Sequence, residues 1–455
     1  MKHSGLMTHR HHKKIYKKNK YTKKYKKSIG GKAIGAGSYG CVFDPPLLCD
    51  NTDMFPYNPA QISKLMYKNE AIEEMELMTY VQGIVQTIPN NDKYFLLKDV
   101  NMCNPAELSD TDLEDYDKEC TLFTKSHNGN NILSSHVNMN LDKLLLINMP
   151  NGGMSLSSVF ETILSEPNEK TRNELFIFIN NKLIELLKNG IIPLNQKGFL
   201  HSDIKDDNIL VGIDNNVRLI DWSLSSLSDG KGIPYALTNR SVHFNMPVSI
   251  LLFNTFVKDF VKKSYEKIKA SVHFSNNKTG QKELIKIVTL NLINNAMKPP
   301  RDSGHLKIIV DRILHSIYKI FITENSEHNL LDYRILTNDI VIEYIQAILL
   351  KYVDENGEFD DVRYYYEVFI KNADIWGFIL SYSLLIEKGR YDVLPYDLIN
   401  GLCRIFLKYC FSTEYADKPI NINMLVEDLS SLNRIVKPQS KTKNRTKNPK
   451  PYNIN

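Results

Sequence analysis

The sequence predicts a two-layer α+β protein, with a small sheet-forming region followed by a larger, mainly helical one. Short runs of β-type apolar residues concentrate before residue 150, helical periodicity takes over from residue 168, and no internal repeat interrupts the progression. With 455 residues, 42% hydrophobic and 24% charged, the chain can bury roughly 70–75% of its extended surface and needs no disulfide or metal to fold. The 21 glycines, 18 prolines and six cysteines exclude collagen-like, disulfide-scaffold and wholly disordered classes.

The elements follow in order. Residues 1–33 carry twelve Lys or Arg and no acid, and residues 435–455 carry six more, again without an acid. The body between them, 34–434, holds 39 basic against 52 acidic side chains. Residues 1–29 and 435–455 therefore read as self-repelling, disordered basic arms on an acidic body. Such arms act as solubilising tails, as salt-sensitive attachments to nucleic acid or an anionic surface, or as a nuclear import signal, and the sequence leaves these open. His9, His11 and His12 in the first arm form too loose a cluster to define a metal site.

Residues 34–43 read as two short strands around a glycine cluster, with Pro45-Pro46 forbidding a helix after them. Residues 61–66 read as a strand and 69–82 as a helix, with Ile72, Met75, Leu77 and Met78 set among acids. Residues 94–100 and 144–149 read as buried strands. Residues 101–140 between them are polar and acidic (Asp110, Asp112, Glu114, Asp115, Asp117, Glu119) and read as a surface insertion. From 168, Leu175, Ile179, Leu183, Leu186 and Leu187 follow helical spacing up to Gly190. Residues 209–211 and 217–220 read as strands flanking an Asp-Asn-Asn turn, and 248–434 as mainly helical. The six cysteines (Cys41, Cys49, Cys103, Cys120, Cys403, Cys410) show no C-x-x-C pair and read as reduced thiols of a cytosol-like compartment. No signal peptide is recognisable, and the most apolar window, 376–386, is too short to span a bilayer. A soluble intracellular protein without a transmembrane segment is expected.

Three segments carry chemistry. In Gly35-Ala36-Gly37-Ser38-Tyr39-Gly40-Cys41-Val42, glycines let backbone approach a phosphate closely because no Cβ intervenes. A dinucleotide fold would continue into a helix; here Val42 and Phe43 continue a strand, which points to a lid over nucleotide phosphates or to an ordinary glycine-rich hairpin. In Gln61-Ile62-Ser63-Lys64-Leu65, a strand lysine either snorkels to solvent or meets the phosphates. The helix after it offers Glu70, Glu73, Glu74 and Glu76 as partners; Glu74 is selected because its turn lies among Ile72, Met75 and Met78. In the third segment, His201-Ser202-Asp203-Ile204-Lys205-Asp206-Asp207-Asn208 is followed by Leu219-Ile220-Asp221-Trp222-Ser223. Phosphoryl transfer needs a carboxylate to orient a hydroxyl, metal ligands on the phosphates and cations to offset charge. Asp203 supplies the first, Asn208 and Asp221 offer hard oxygens suited to Mg²⁺, and Lys205 offers a cation.

At these residues the chain resembles the protein kinase superfamily. The glycine segment matches G-x-G-x-x-G-x-V, Ile62-Ser63-Lys64 the A-x-K strand, His201 to Asn208 the H-R-D-x-K-x-x-N loop, and Asp221-Trp222-Ser223 stands where D-F-G is found. Leu146-Ile147-Asn148-Met149-Pro150-Asn151-Gly152-Gly153 looks like the hinge between lobes, and Asp374-Ile375-Trp376-Gly377 like the D-x-W-x-x-G helix whose Asp braces the catalytic loop. The resemblance implies a bilobal protein-kinase-like fold, with a β-rich lobe over 30–150 that contains the insertion 101–140, and a helical lobe over 151–434 that contains an insertion at 256–370. It implies ATP with Mg²⁺, or Mn²⁺ in its place, and transfer to hydroxyls of protein substrates, with Lys205 the serine/threonine-kinase choice. It also assigns Asp203 and Lys205 to catalysis, Asn208 and Asp221 to the metal, and Gly35, Ala36, Gly37, Ser38, Tyr39, Gly40, Val42, Lys64, Glu74 and Met149 to ATP.

The chain departs from the pattern in places. Ser202 replaces the Arg that pairs with a phosphorylated activation segment, Ser223 replaces the glycine of D-F-G, and Asn245-Met246-Pro247 stands for A-P-E. The spacing from Lys64 to the helix acids is short, and residues 256–370 lengthen the stretch before Asp374. With these features the chain looks like the divergent serine/threonine kinases of large DNA viruses, whose AT-rich genomes suit its abundant Asn, Lys, Ile and Tyr. That implies a host-cytoplasm, virion or nuclear setting. Two other readings stand beside the active kinase: a pseudokinase or scaffold that binds partners through its insertion and tails, and a small-molecule kinase, against which the full glycine segment and Lys205 argue.

Overall fold

β-Branched and apolar residues at period two build an antiparallel five-stranded sheet in the order β1-β2-β3-β5-β4 (β1 Lys32–Gly37, β2 Gly40–Asp44, β3 Gln61–Tyr67, β4 Asn101–Cys103, β5 Leu144–Pro150). The computed structural model describes residues 31–37, 40–50, 54, 56–125, 131–271, 278–296, 304–322, 333–389 and 392–437. Ser38 and Tyr39, the arm 1–29 and the tail from 438 onward lie outside them.

Alternation gives the two faces of the sheet different work. On one face Met66, Leu145 and Ile147 pack with Ala71 of helix α1 (Lys68–Val85), and Lys64, two residues before Met66, shares that face. On the other face Leu65, Leu144 and Leu146 pack with Cys41, Phe43, Tyr116, Cys120, Phe123, Ile132 and Val137. Residues 101–140 are thus more than a surface insertion. Their acids remain largely outside, but they supply strand β4, and the aromatic rings of Tyr116 and Phe123 stack 6.3 Å apart in this second core. Charge dominates the composition of the segment and hides its few buried positions.

The expectation for 94–100 is also corrected. Tyr94, Phe95, Leu96 and Leu97 are buried, yet they form no strand of the sheet; Phe95 makes one isolated parallel bridge to Leu219. Tyr94 and Leu96 exchange backbone hydrogen bonds with Leu219. An apolar run without alternation marks burial and leaves the hydrogen-bonding partner open.

Four of the six cysteines, expected as thiols, form the disulfides Cys41–Cys120 and Cys49–Cys103, and Cys403 and Cys410 are free and buried. Sequence separations of 79 and 54 hide these pairs, because only the strand order brings them together. Both link the β2 side of the sheet to the segment 101–124.

Beyond β5, the turn Pro150-Asn151-Gly152-Gly153 reverses the chain. Gly153 has φ +93°, and a Cβ there would lie 2.2 Å from the Val211 carbonyl oxygen. Strand β6 (Met154–Ser155) then pairs with β8 (Ile209–Val211), which pairs with β9 (Val217–Leu219); β7 (Phe199–Leu200) pairs with β10 (Ser226–Leu227). Apart from the irregular stretch 228–247, the other described residues are mainly helical: α2 (Glu169–Leu186), α3 (Thr255–Ser271), α4 (Lys278–Ala296), α5 (Tyr333–Tyr352), α6 (Ile370–Leu380), α7 (Tyr396–Tyr409) and α8 (Ile422–Val436) are the longer elements. Residues expected as an insertion, such as Tyr265, Ile285, Val288 and Ile345, share one core with Trp376 and Phe378 of α6, so the described helices of this stretch pack into the helical layer. Among the described residues no helix is long and apolar enough to cross a membrane. The protein is α+β, as the sequence predicts.

Candidate active site

Helix α1 begins at the residue after β3, which accounts for the short spacing from Lys64 to the helix acids. Lys64 Nζ donates to both oxygens of Glu74, at 2.7 and 2.6 Å, with 16% and 20% of the two side chains exposed. Of the four candidate acids, Glu74 is the one in place. Ile72, used to orient that turn, is in fact exposed; Ala71, Met78, Val81 and Val85 form the buried stripe. Gly40 lies over the lysine: a Cβ there would meet Leu65 O at 2.7 Å and Lys64 Cγ at 3.0 Å, so only glycine lets β2 approach so closely. Gly35 has open space at its Cβ position, so packing does not explain that glycine. Val42 pairs with Lys64 across β2 and β3, and Met149 with Ile62 across β3 and β5.

The second half of the site is the loop after β7. Asp203 is buried, and its carboxylate takes three donors: Asn245 Nδ2 on Oδ1 at 2.8 Å, and Lys205 Nζ and Asn208 Nδ2 on Oδ2 at 3.0 and 2.8 Å. Burial pushes this carboxyl upward, but the Asn245 bond, Lys205 and His201 outweigh it and hold it below the usual carboxylate range. The loop is fixed from beneath by Asp374 of α6, 1% exposed, which accepts the Asn195 amide at 2.7 Å and the backbone N–H groups of His201 and Ser202, each at 2.8 Å. His201 Nε2 lies 3.0 Å from the Ile220 carbonyl, and its ring sits 4.7 Å from that of Trp222.

The third component is Asp221. Ile220 N donates to Asn208 O at 3.1 Å, which sets Asp221 beside the asparagine. Ser202 (φ +61°) and Asp221 (φ +64°) both adopt the left-handed backbone that L side chains disfavour. Strain of this kind persists only where surrounding contacts impose it, and it concentrates at working sites. Ser223 Oγ donates to Asp221 Oδ1 at 2.8 Å. Asn208 spends its amide nitrogen on Asp203, and its Oδ1 takes no hydrogen bond among the described residues. Asp221 Oδ2 and Asn208 Oδ1, neither taking a hydrogen bond among the described residues, suit Mg²⁺, which keeps much of its water and takes few protein ligands. No cluster of three or more His, Cys, Asp or Glu with metal-site geometry occurs among the described residues.

The structure therefore brings together Lys64 with Glu74, and Asp203 with Lys205, Asn208 and the backbone before Asp221, two residues beyond β9. No hydrogen bond or ion pair among the described residues joins the two groups. Two contributors escape sequence reading. Arg240 donates from Nη2 to Ser202 O at 3.0 Å, and Asn245 is a ligand of Asp203 as well as a departure from a motif. A single arginine or asparagine in an irregular stretch has no periodicity or spacing to mark it.

No family model matches the chain, and no curated protein does so.

Proposed function

We propose that the protein is an ATP-dependent serine/threonine protein kinase with the bilobal protein-kinase fold, its smaller lobe over 30–150 and its larger over 151–434. The observation that carries this reading is the bonding of Asp203, Lys205 and Asn208 into one buried cluster whose backbone adjoins Asp221, with a separate Lys64–Glu74 pair beside the glycine hairpin.

Each side chain suits a defined task. Asp203, held ionised by three donors, orients a hydroxyl and accepts its proton. Lys205 sits where its charge offsets that of an incoming phosphoryl group. Glu74 fixes the Lys64 ammonium, which would otherwise lose rotamer entropy on meeting a phosphate. Asn208 and Asp221 would hold Mg²⁺, or Mn²⁺, and the bound metal supplies neutralisation of the phosphate charge. A kinase acting on protein hydroxyls is the outcome best suited to this set.

Ser223 occupies one oxygen of Asp221, and this contact favours the second reading, a catalytically weak pseudokinase or scaffold. A radiolabel transfer assay on protein substrates separates the two. Wild type should label serine and threonine, and Asp203→Ala should lose at least about 100-fold. Equal background label from both proteins would end the enzyme reading.

A further inference from the structure

The segment 240–245 reaches three consecutive residues of the loop that carries Asp203. Arg240 Nη2 donates to Ser202 O at 3.0 Å. Asn245 Nδ2 donates to Asp203 Oδ1 at 2.8 Å and to Ile204 O at 3.2 Å. The opposite side of the loop is held by Asp374 through the His201 and Ser202 N–H groups. The loop is thus gripped from two sides, by a helix on one and by an irregular segment on the other.

The chemistry of the grip is directional. Asn245 is 1% exposed, and reversing its amide would set an oxygen against both the Asp203 carboxylate and the Ile204 carbonyl. The donor end is therefore the end that the loop selects. Arg240 places a cation next to a backbone carbonyl one residue before Asp203, where Asp203 and Asp374 supply the negative charge around it. Gly377 of α6 lets the parts close: a Cβ there would lie 2.6 Å from Ile204 O and 2.8 Å from Asn245 O. The segment is further anchored by Trp376 Nε1, which donates to Phe244 O at 3.2 Å.

Resting on the phosphotransfer reading, we propose that Arg240 and Asn245 are positioning residues that strap the Asp203 loop into its working geometry. The side chains that secure this side of the loop belong to the segment itself.

The full-length chain tests this with Arg240→Ala, Asn245→Ala, the isosteric Asn245→Asp and the donor-retaining Asn245→Ser. Losing a charge-assisted bond that aims the carboxylate should lower kcat about 10- to 100-fold, because small misplacements of a reacting group are costly. Affinity for Mg²⁺ with a non-hydrolysable ATP analogue, read by calorimetry, should stay within about twofold of wild type, since neither residue touches Lys64, Asn208 or Asp221. Asn245→Asp should lose most, by facing one carboxylate with another, and Asn245→Ser should recover part of the rate. Hydrogen exchange of the 202–204 amides should quicken in the alanine variants.

Unchanged kcat and unchanged exchange in both alanine variants would overturn the proposal. If wild type and Asp203→Ala give equal background label, the phosphotransfer reading itself fails. The exchange measurement then still decides whether the strap holds the loop.

Discussion

Asp374 gives the sharpest mechanical test of how the site is held. Its two carboxylate oxygens accept three donors, with Oδ2 serving the Asn195 amide and the His201 N–H, and Oδ1 serving the Ser202 N–H. Asp374→Ala leaves two backbone N–H groups and one amide without an acceptor in a site where the side chain is 1% exposed. Each orphaned donor costs about 1–3 kcal/mol. Relief from burying a carboxylate offsets part of this, so the net loss should be about 3–5 kcal/mol, the range for removing one partner of a buried charged set. Asp374→Asn can keep its oxygen toward Asn195 and His201, but must then turn an NH₂ toward Ser202 N–H, so it should lose about 1–3 kcal/mol. Urea unfolding at neutral pH measures both values, with hydrogen exchange at 201–203 as the local readout. Losses under about 1 kcal/mol for Asp374→Ala, with loop protection intact, would mean that these bonds do not hold the loop.

Other outcomes follow from single contacts. Lys64→Met should leave folding intact, since the partly exposed pair contributes little to stability, but should abolish ATP-dependent transfer; unchanged turnover would show that another cation serves the phosphates. Gly377→Ala should cost about 1–3 kcal/mol by overpacking against Ile204 O and Asn245 O, and should depress transfer more than nucleotide binding. Under non-reducing conditions the native protein should resist iodoacetamide at pH 8, because burial pushes Cys403 up to about 12 and Cys410 well above its ordinary value. Denaturation alone should expose Cys403 and Cys410, and prior reduction all six cysteines; six reactive thiols without reductant would contradict the two disulfides. Replacing Cys41 and Cys120 together by Ser should destabilise the protein by about 4 kcal/mol, from the entropy of the loop they close, as measured by unfolding with and without reductant.

The parts legible in the sequence are those in which the local pattern carries the information. The glycine hairpin, the 61–67 strand, the helix after it and the 201–211 loop-and-strand follow from spacing, turn residues and β-type composition. Glu74 could be picked from four acids because a helix presents one turn toward the strand it follows, although Ile72 points outward. The strand expected at 94–100 failed because an apolar run reports burial and not pairing. The segment 101–140 was misjudged because its many acids, most of them at the surface, mask Tyr116, Cys120 and Phe123 beneath them. The disulfides, Arg240 and Asn245 depend on contacts made across 38 residues or more, which no local period encodes.

A crystal of the full chain soaked with Mg²⁺ and a non-hydrolysable ATP analogue would bear most directly on the proposed activity. The nucleotide phosphates should lie beneath the 35–42 hairpin, within reach of Lys64, with an ion held between Asn208 Oδ1 and the Asp221 carboxylate and Asp203 facing the terminal phosphate. Nucleotide bound elsewhere, or Asn208 and Asp221 turned apart with no ion between them under saturating ligand, would contradict it.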